Sequence, residues 1–462
     1  MQIFKNCCLA KKLLQQQEEI KKGTLIGKGF RLDDYKQEQL IDIIQEDDNK
    51  TYHTVTFGSS GVGKSRLIES QIEQDIPKGE NVVIIDPKGD MNLFSKMYQK
   101  AKLCGRENEI LFISSVYPQY SIFVNPVKNY YMEEELVSHL VSGVPAKDIF
   151  FYNVAYETIL AIVKSLLMIR RQTGNTEPIN FAEVSSYVYF DGLKALKTNI
   201  ATISSENEEE KERLDNLFVQ VLASTPDYFS KVASSLRTTL TQMTMGNVGR
   251  IVGNVHENTF IDRLEQNEGV LLYVQTGSML TRQVSSILSK VIISMIQSLI
   301  GRLYASGDQF ERRLNIYLDE MGRSLYWGIE DMFSQARAAN VSMNGFAQSM
   351  LNLTNAVGKD YAETIIDTIS SKVIMRLNAT NSAQVLTALG GTRTVHTPFL
   401  NLDGSIMSRQ QEEDIIKVEN ITRLKKREFY YFGFEGEFKG KTAPVQPSEI
   451  KINMPSVIGR NN

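Results

Sequence analysis

A glycine-rich segment in the first quarter of the chain has the residue types and spacing of a phosphate-binding loop. It reads Gly58-Ser59-Ser60-Gly61-Val62-Gly63-Lys64-Ser65, between a predicted strand, Thr54–Phe57, and a predicted helix, Arg66–Glu73. Glycines let backbone N–H groups wrap phosphate oxygens, and the start of the helix adds its positive dipole end. We expect Lys64 to reach the β- and γ-phosphates and Ser65 to bind magnesium. Arg66 is counted with the same nucleotide-contacting segment.

An acidic pair at the end of a second apolar strand would supply the chemistry of hydrolysis. The segment Leu314-Asn315-Ile316-Tyr317-Leu318 runs directly into Asp319 and Glu320. We expect Asp319 to hold the hydration shell of the magnesium ion. Glu320, the adjacent carboxylate, is the candidate that orients and deprotonates the attacking water.

Two more polar segments follow predicted strands. Gln348 comes after Val341–Phe346 and is a candidate sensor of the γ-phosphate, although a cap or a solvated amide is the more ordinary role for such a residue. Asp86 and Lys88, in the segment Asp86-Pro87-Lys88-Gly89-Asp90, close the strand Val82–Ile85. The carboxyl ends of parallel strands border the ligand crevice, so both are candidate nucleotide contacts. A structural turn would also account for the second segment.

Composition indicates an ordinary folded protein. Of the 462 residues 42% are hydrophobic and 23% are charged, which disfavours disordered, collagen-like and coiled-coil classes. At the usual domain size this length predicts roughly three domain-equivalents. The formal net charge of -3 excludes a surface coated with basic residues, although a local channel can still hold a polyanion.

Other common kinds of site find no support in the sequence. The three cysteines, Cys7, Cys8 and Cys104, lack the spacing of disulfide scaffolds or zinc sites, and the four histidines have no partners at metal spacing. No segment approaches the ~18–20 uninterrupted apolar residues of a membrane helix. The nearest, Val284–Leu303, has the spacing of a core-facing helix with a polar face.

The order of patterns predicts an α/β domain interrupted by helices. Strand and helix patterns alternate from Thr54 to Glu109, apolar residues recur at helical spacing from Met132 to Gly249, and strand patterns resume after Asn258. Asn180 and Glu183 are predicted to cap one of the inserted helices. The segments predicted are an amino-terminal piece at 1–50, a first motor part at 51–130, an all-α insertion at 131–255, a second motor part at 256–445 and a polar tail at 446–462.

This combination of motifs resembles the coupling ATPases of conjugation and type IV secretion. Their TraD/TraG-like group belongs with the FtsK/HerA hexameric DNA motors. The resemblance is carried by the phosphate loop, Val-Ile-Ile-Asp-Pro-Lys-Gly-Asp, the helical insertion, Ile-Tyr-Leu-Asp-Glu and Gly-Phe-Ala-Gln-Ser, in that order. Leu25–Phe30 is similar to the short glycine-containing segment ahead of the motor in TraD-like proteins. The resemblance implies a RecA-like P-loop fold with mostly parallel strands, binding ATP and Mg²⁺.

The resemblance also implies how the subunits and partners cooperate. An arginine from one subunit is expected to complete the neighbour's site, and Arg376 is similar in position to the family's late-strand arginine. Arg337 is the second candidate, and a surface salt bridge would explain either. The implied assembly is a homo-oligomer, a hexameric ring. Its implied partners are DNA without sequence preference, a relaxase or other secreted substrate, and inner-membrane components of the secretion system.

Three functions therefore remain in competition. The favoured one is an ATP-driven DNA translocase, cytoplasmic and peripheral at the inner membrane through partners. TraD/TraG-like proteins usually begin with transmembrane helices, and this chain departs from that pattern. The alternatives are an ATPase that assembles the secretion channel without touching DNA, and a cargo adaptor that nucleotide merely stabilises.

Overall fold

The computed structural model describes residues 23–32, 39–145, 149–203, 208–388, 391–400 and 406–457. Its strands are β1 (Gly23–Arg31), β2 (Ile41–Glu46), β3 (Thr54–Phe57), β4 (Asn81–Asp86), β5 (Ile110–Ser114), β6 (Leu271–Gln275), β7 (Leu314–Asp319), β8 (Val341–Ala347), β9 (Ser371–Met375), β10 (Thr392–Leu400), β11 (Ile406–Asp414), β12 (Glu428–Gly433) and β13 (Gly436–Thr442).

Helices separate most of these strands. They are α1 (Asp47–Lys50), α2 (Lys64–Asp75), α3 (Met91–Leu103), α4 (Glu133–Ser142), α5 (Ile149–Thr173), α6 (Phe181–Ser186), α7 (Phe190–Thr202), α8 (Glu208–Val221), α9 (Pro226–Val232), α10 (Ser234–Thr244), α11 (Gly246–Val248), α12 (Thr259–Glu265), α13 (Arg282–Ser306), α14 (Glu330–Gln335), α15 (Met350–Val357), α16 (Lys359–Thr368), α17 (Thr380–Thr387) and α18 (Val418–Thr422).

The chain forms two compact units, of which the first contains the phosphate-loop segment. This first unit joins Met1–Asp75 to Ser342–Ser448. Its strands are ordered β2-β1-β13-β12-β9-β3-β8. The strand β3 is parallel to β8 and β9, while β12, β13, β1 and β2 add antiparallel pairs. Its three parallel strands therefore end at one edge, where the loop after β3 begins.

The second unit, Ile76–Val341 with Glu449–Asn462, contains the acidic strand end. Its four strands are ordered β7-β4-β6-β5, and all of the recorded pairs are parallel. The strands β4, β6 and β7 are buried along their whole length, as expected for strands covered by helices on both faces. The adjacent strands β4 and β7 end at Asp86 and Asp319, which brings these two carboxylates to the same edge.

Helices alone fill the insertion between β5 and β6. Among its described residues the one β-type pairing is an isolated bridge between Val124 and Asn258. Asn180 caps α6 as predicted, since its Oδ1 accepts a hydrogen bond of 2.9 Å from the backbone N–H of Glu183. The five segment boundaries predicted from the sequence stay a prediction.

Two helices of the second unit are long and apolar enough to meet a length-and-composition test for membrane spans. They are α5, with a mean hydropathy of 1.3 in its most apolar window, and α13, with 1.6. The sequence search singled out only the second. Because 56% and 67% of these windows are buried inside the protein, both also fit the description of core helices.

The sequence located most of the parallel strands to within two residues but missed β5 and the hairpin β10–β11. The hairpin pairs Thr392 through Leu400 with Asp414 through Ile406. The glycine-containing segment Leu25–Phe30 lies within β1. The cysteines Cys7 and Cys8 lie outside the described residues.

Candidate nucleotide-binding site

The phosphate-loop segment forms a turn between β3 and α2. Gly61 and Gly63 have φ values of 77° and 122°, in the region that favours glycine, so the backbone turns there without steric cost. The loop starts with a hydrogen bond of 3.0 Å from the N–H of Gly58 to the carbonyl of Ala347. Lys64 begins the helix, Ser65 is half-buried, and Arg66 is exposed and pairs with Glu69.

The buried ammonium of Lys64 is folded onto its own loop. Its Nζ donates to the carbonyl of Gly58 and, at 3.0 Å, to that of Ser59. These two hydrogen bonds stabilise the buried ammonium and keep it against the loop. A phosphate bound by the loop would compete with them for the same three N–H donors.

Two other predicted residues lie at the same edge of the first unit. Gln348 directly follows β8, whose last carbonyl receives the N–H of Gly58. Arg376 directly follows β9, and its carbonyl accepts from the N–H of Ser59 at 2.9 Å, while its side chain is exposed. The structure thus brings both residues to the loop's own flanks.

Arg427 also supports the loop, which the sequence analysis did not foresee. Its backbone N–H donates to the carbonyl of Val62 at 2.8 Å, and a Cβ on Gly63 would lie 3.2 Å from the Cγ of Arg427. Its guanidinium bonds the carbonyls of Thr442 and Ala443. The basic run Arg423, Lys425, Lys426 and Arg427 has the sequence pattern of a solvated face, and no local pattern marks the contact of Arg427 with the loop.

The acidic edge of the second unit is built around Lys88. Its Nζ lies 3.0 Å from Oδ2 of Asp319 and 3.5 Å from Oε1 of Glu320. Asp319 is buried, whereas the side chain of Lys88 is 41% exposed. The other oxygen of Asp319, Oδ1, is buried and has no hydrogen-bond partner among the described residues.

Burial raises the pKa of Asp319 above the ordinary carboxyl value, and Asp86 and Glu320 add to that rise while Lys88 opposes it. Burial pulls the pKa of Lys88 down, but the surrounding carboxylates outweigh it and the net pKa is raised. Lys88 therefore stays charged at neutral pH and is the counter-ion of an edge that carries three carboxylates.

Glu320 is held between two cations in an unusual backbone conformation. Its φ of 58° and ψ of 52° lie in the left-handed region, where a non-glycine residue is uncommon and is often found at functional sites. Its Oε2 pairs with Nε of Arg323, and its Oε1 faces Lys88. Arg323 was not among the sequence candidates, although its spacing of three residues from Glu320 was a usable signal.

Asp86 holds the turn that presents Lys88. One of its oxygens accepts from the N–H of Lys88 at 2.8 Å. The other accepts from the N–H of Asp90 at 2.5 Å and from the hydroxyl of Tyr273 at 2.6 Å. Burial, with Asp86 next in effect, raises the pKa of Tyr273 well above its usual value, so this hydroxyl remains a donor. The geometry gives Asp86 a structural task, while Lys88 faces the acidic edge.

Each unit, taken by itself, carries groups that fit one part of a magnesium–nucleotide ligand. The unpartnered Oδ1 of Asp319 is an oxygen of the type that hydrated Mg²⁺ accepts, and a loop with two left-handed glycines presents N–H donors. No group of three or more His, Cys, Asp or Glu side chains placed to hold a metal ion by themselves occurs among the described residues.

We expect Lys88→Met to lower the melting temperature of the protein in EDTA and to enlarge the stabilisation by Mg²⁺. The variant leaves Asp319 without its counter-ion, a loss of about 1 kcal/mol after solvent screening, or roughly 2 °C in a unit of this size. Thermal melts in EDTA and in Mg²⁺ measure this, with Lys102→Met as the exposed-lysine control. If Mg²⁺ raised the melting temperatures of the wild type, Lys88→Met and Lys102→Met by the same amount, Lys88 would not shield the acidic edge.

Comparisons with known proteins agree on one group. A family described as the TraM recognition site of TraD and TraG matches residues 313–426. The type 4 coupling protein DotL of Legionella pneumophila is 34% identical over 68 residues, 15% of this chain and 9% of DotL. The chain therefore spans a small part of that relative.

Solved structures of the coupling protein TrwB are similar over nearly the whole chain. The unbound form has a TM-score of 0.67 at 17% identity and covers 89% of each chain. TrwB in complex with ADP and Mg²⁺ has a TM-score of 0.64 at 18% identity, covering 88% of this chain and 91% of TrwB. At this identity the likeness shows the fold, and it confirms the predicted RecA-like α/β class with an all-helical insertion. Three findings agree: the TraD and TraG match at residues 313–426, the DotL match and the TrwB fold. They confirm that the chain resembles the TraD/TraG-like type IV coupling proteins.

Proposed function

We propose that this protein is an ATP-driven motor that couples DNA or a nucleoprotein to a conjugative or type IV secretion channel. One observation carries the proposal: the segment that matches TraD and TraG, 313–426, begins at β7 and contains Asp319, Glu320, Gln348 and Arg376. Asp319, Glu320 and Gln348, picked for their chemistry, thus lie in the segment picked by similarity, while the phosphate loop precedes it.

ATP and Mg²⁺ are the proposed ligands. TrwB structures hold ADP with Mg²⁺ and an ATP analogue, and this chain shares their fold and has a phosphate loop. In this proposal the loop from Gly58 to Ser65 binds the phosphates, with Lys64 on the β- and γ-phosphates. Ser65 and Asp319 hold the metal and its water shell.

Hydrolysis is assigned to three side chains. Glu320 orients and deprotonates the attacking water, Gln348 senses the γ-phosphate, and Arg376 stabilises charge on the phosphoryl group in a neighbouring subunit. The exposed position of Arg376 beside the phosphate loop supports a contact with a neighbouring subunit. Each oxygen of Glu320 keeps lone pairs beyond its contact with Lys88 or Arg323, so the carboxylate can accept a proton from the attacking water.

The proposed partners are DNA, a relaxase or other secreted protein, inner-membrane components of the secretion system and further copies of this chain. The matched family supports such a setting, since it is described as a recognition site for TraM. The proposed location is the cytoplasmic face of the inner membrane, reached through these partners.

DNA should stimulate hydrolysis, and the specific rate should rise with protein concentration. Phosphate release is measured across protein concentrations, with and without single- and double-stranded DNA of two unrelated sequences. The motor predicts stimulation by either sequence, because phosphate contacts carry no sequence information. Hydrolysis indifferent to DNA would favour the channel-assembly ATPase, and absence of hydrolysis would favour the adaptor.

A further inference from the structure

A pocket of about 540 Å³ opens in the second unit, where the end of α4 meets the first turns of α10 and α13. The three helices approach closely at Gly143, where a Cβ would lie 2.6 Å from Cγ2 of Ile287 and 3.2 Å from Cγ2 of Thr239. A larger residue than glycine would therefore push α4 away and open the floor of the pocket. The proposed nucleotide site uses none of these residues.

The lining suits an anion. It contains the hydroxyls of Ser235, Thr238 and Thr239, while those of Ser234 and Ser286, also in the lining, donate to the backbone carbonyls of Lys231 and Arg323. Two cations, Arg282 and Lys290, complete the polar lining, and no carboxylate is among the described residues that line the pocket. A hydrogen bond of 2.9 Å between Gln242 and Gln283 joins α10 to α13 at the same place.

Two helices of 11 and 25 residues begin at this pocket. Neither has a side-chain cap, since Ala233 and Thr281 at the cap positions make no capping bond. The N–H groups of a helix's first turn lack intrahelical partners, and the helix dipole makes this end positive. Both helix starts therefore present N–H donors and partial positive charge.

Lys290 provides an independent sign of a missing ligand. It lies two turns into α13, is half-buried where it lines the pocket and has no hydrogen bond or ion pair with any described residue. Burial lowers its pKa to about 8. An ammonium that is partly removed from water without a counter-ion is unfavourable, and a bound oxyanion would compensate it.

We propose that this pocket binds a backbone phosphate of the nucleic acid on which the proposed motor acts, through Lys290, Arg282 and the first turns of α10 and α13. The inference rests on the proposed function for the source of the phosphate. A phosphate group is the shared chemistry, and nucleic acid and free phosphate are separated below by experiment.

The pocket is connected to the candidate catalytic base. Ser286, in its lining, donates a hydrogen bond of 2.7 Å to the carbonyl of Arg323, and Arg323 pairs with Glu320. A ligand that shifts the start of α13 would disturb the residue that holds Glu320. This link gives DNA a physical route by which to stimulate hydrolysis.

The test compares Lys290→Met with Lys290→Arg, using Lys102→Met as a control on the exposed surface of α3. DNA affinity should fall about tenfold in Lys290→Met at moderate salt, and the slope of log affinity against log salt should shrink by roughly 0.7 for single strands. Lys290→Arg and Lys102→Met should bind like the wild type. Basal hydrolysis without DNA should be the same in all four proteins.

Folding is controlled by thermal melts. Lys290→Met removes a half-buried charge that has no partner among the described residues, so its melting temperature should equal or exceed that of the wild type. If Lys290→Met binds DNA more weakly while its melting temperature is not lowered, the loss of affinity cannot be attributed to unfolding.

A second measurement identifies the source of the phosphate. The lowered pKa of Lys290 makes its amine reactive toward an acetylating ester at pH 8, and mass spectrometry reports the acetylated fraction. An oligonucleotide should protect Lys290 and leave Lys102 reactive. Protection by millimolar inorganic phosphate but not by the oligonucleotide would overturn the proposal.

The two possible failures are distinguishable. If the wild type binds DNA and Lys290→Met binds it equally well, the pocket is not the site, while the motor function stands. If the wild type neither binds DNA nor responds to it, the proposed function fails and this inference fails with it.

Discussion

Glu320→Gln should bind ATP as tightly as the wild type and hydrolyse it at least ~10²-fold more slowly, since general bases contribute rate factors of that order or more. Glutamine keeps the shape of the side chain but cannot accept the proton of the attacking water. Lys64→Ala should instead lose nucleotide affinity, because its ammonium contacts the phosphates before any bond breaks. A fluorescent ATP analogue measures binding, and phosphate release measures turnover.

The matched control is Glu311→Gln, which removes an exposed carboxylate shortly before β7 and should leave both quantities unchanged. Arg323→Gln adds a second comparison, because it frees one oxygen of Glu320 without removing the base. Normal turnover in Glu320→Gln would show that another group activates the water.

The sequence was a good guide wherever the signal is local. The loop from Gly58 to Ser65, the apolar strand ending at Asp319 and the helical periodicity of the insertion each depend on neighbouring residues. These features were found close to the predicted positions. The capping pair Asn180 and Glu183 is the same case, since both members lie within one helical turn.

Long-range pairings left no such signal. The strand β1 pairs with β13, with Gly27 opposite Thr442 and Arg31 opposite Phe438. Neither strand shows in its own residues which partner strand it will take. Lys88 meets Asp319 across 231 positions. The contact of Arg427 with the loop is likewise made through its backbone. A backbone hydrogen bond does not depend on residue type, so the residue types in the sequence cannot predict it.

Arg376→Ala should bind ATP normally but lose roughly 10³-fold or more in turnover, the usual contribution of an arginine that stabilises the transferring phosphoryl group. Its carbonyl is fixed by the N–H of Ser59, so its position is set by the loop. Its guanidinium is exposed and has no ion pair with the described residues. A side chain placed in this way is available to a neighbouring subunit. The alanine variant also keeps the backbone bond to Ser59 intact.

Mixing the two inactive proteins decides whether Arg376 acts across a subunit boundary. Glu320→Gln retains the arginine and Arg376→Ala retains the base, so activity can return only at an interface that combines the two. In a ring of heterologous interfaces, equimolar random mixing forms such a pair at about a quarter of the interfaces. We therefore expect the mixture to recover up to about a quarter of wild-type hydrolysis, with the highest activity when the two variants are present in equal amounts. Mixing either variant with the double variant Glu320→Gln, Arg376→Ala should recover no activity. Affinity pull-down of differently tagged proteins establishes that the subunits co-assemble. Co-assembly without any recovery would place the action of Arg376 within its own subunit, where its exposed guanidinium would serve the loop to which its backbone is bonded.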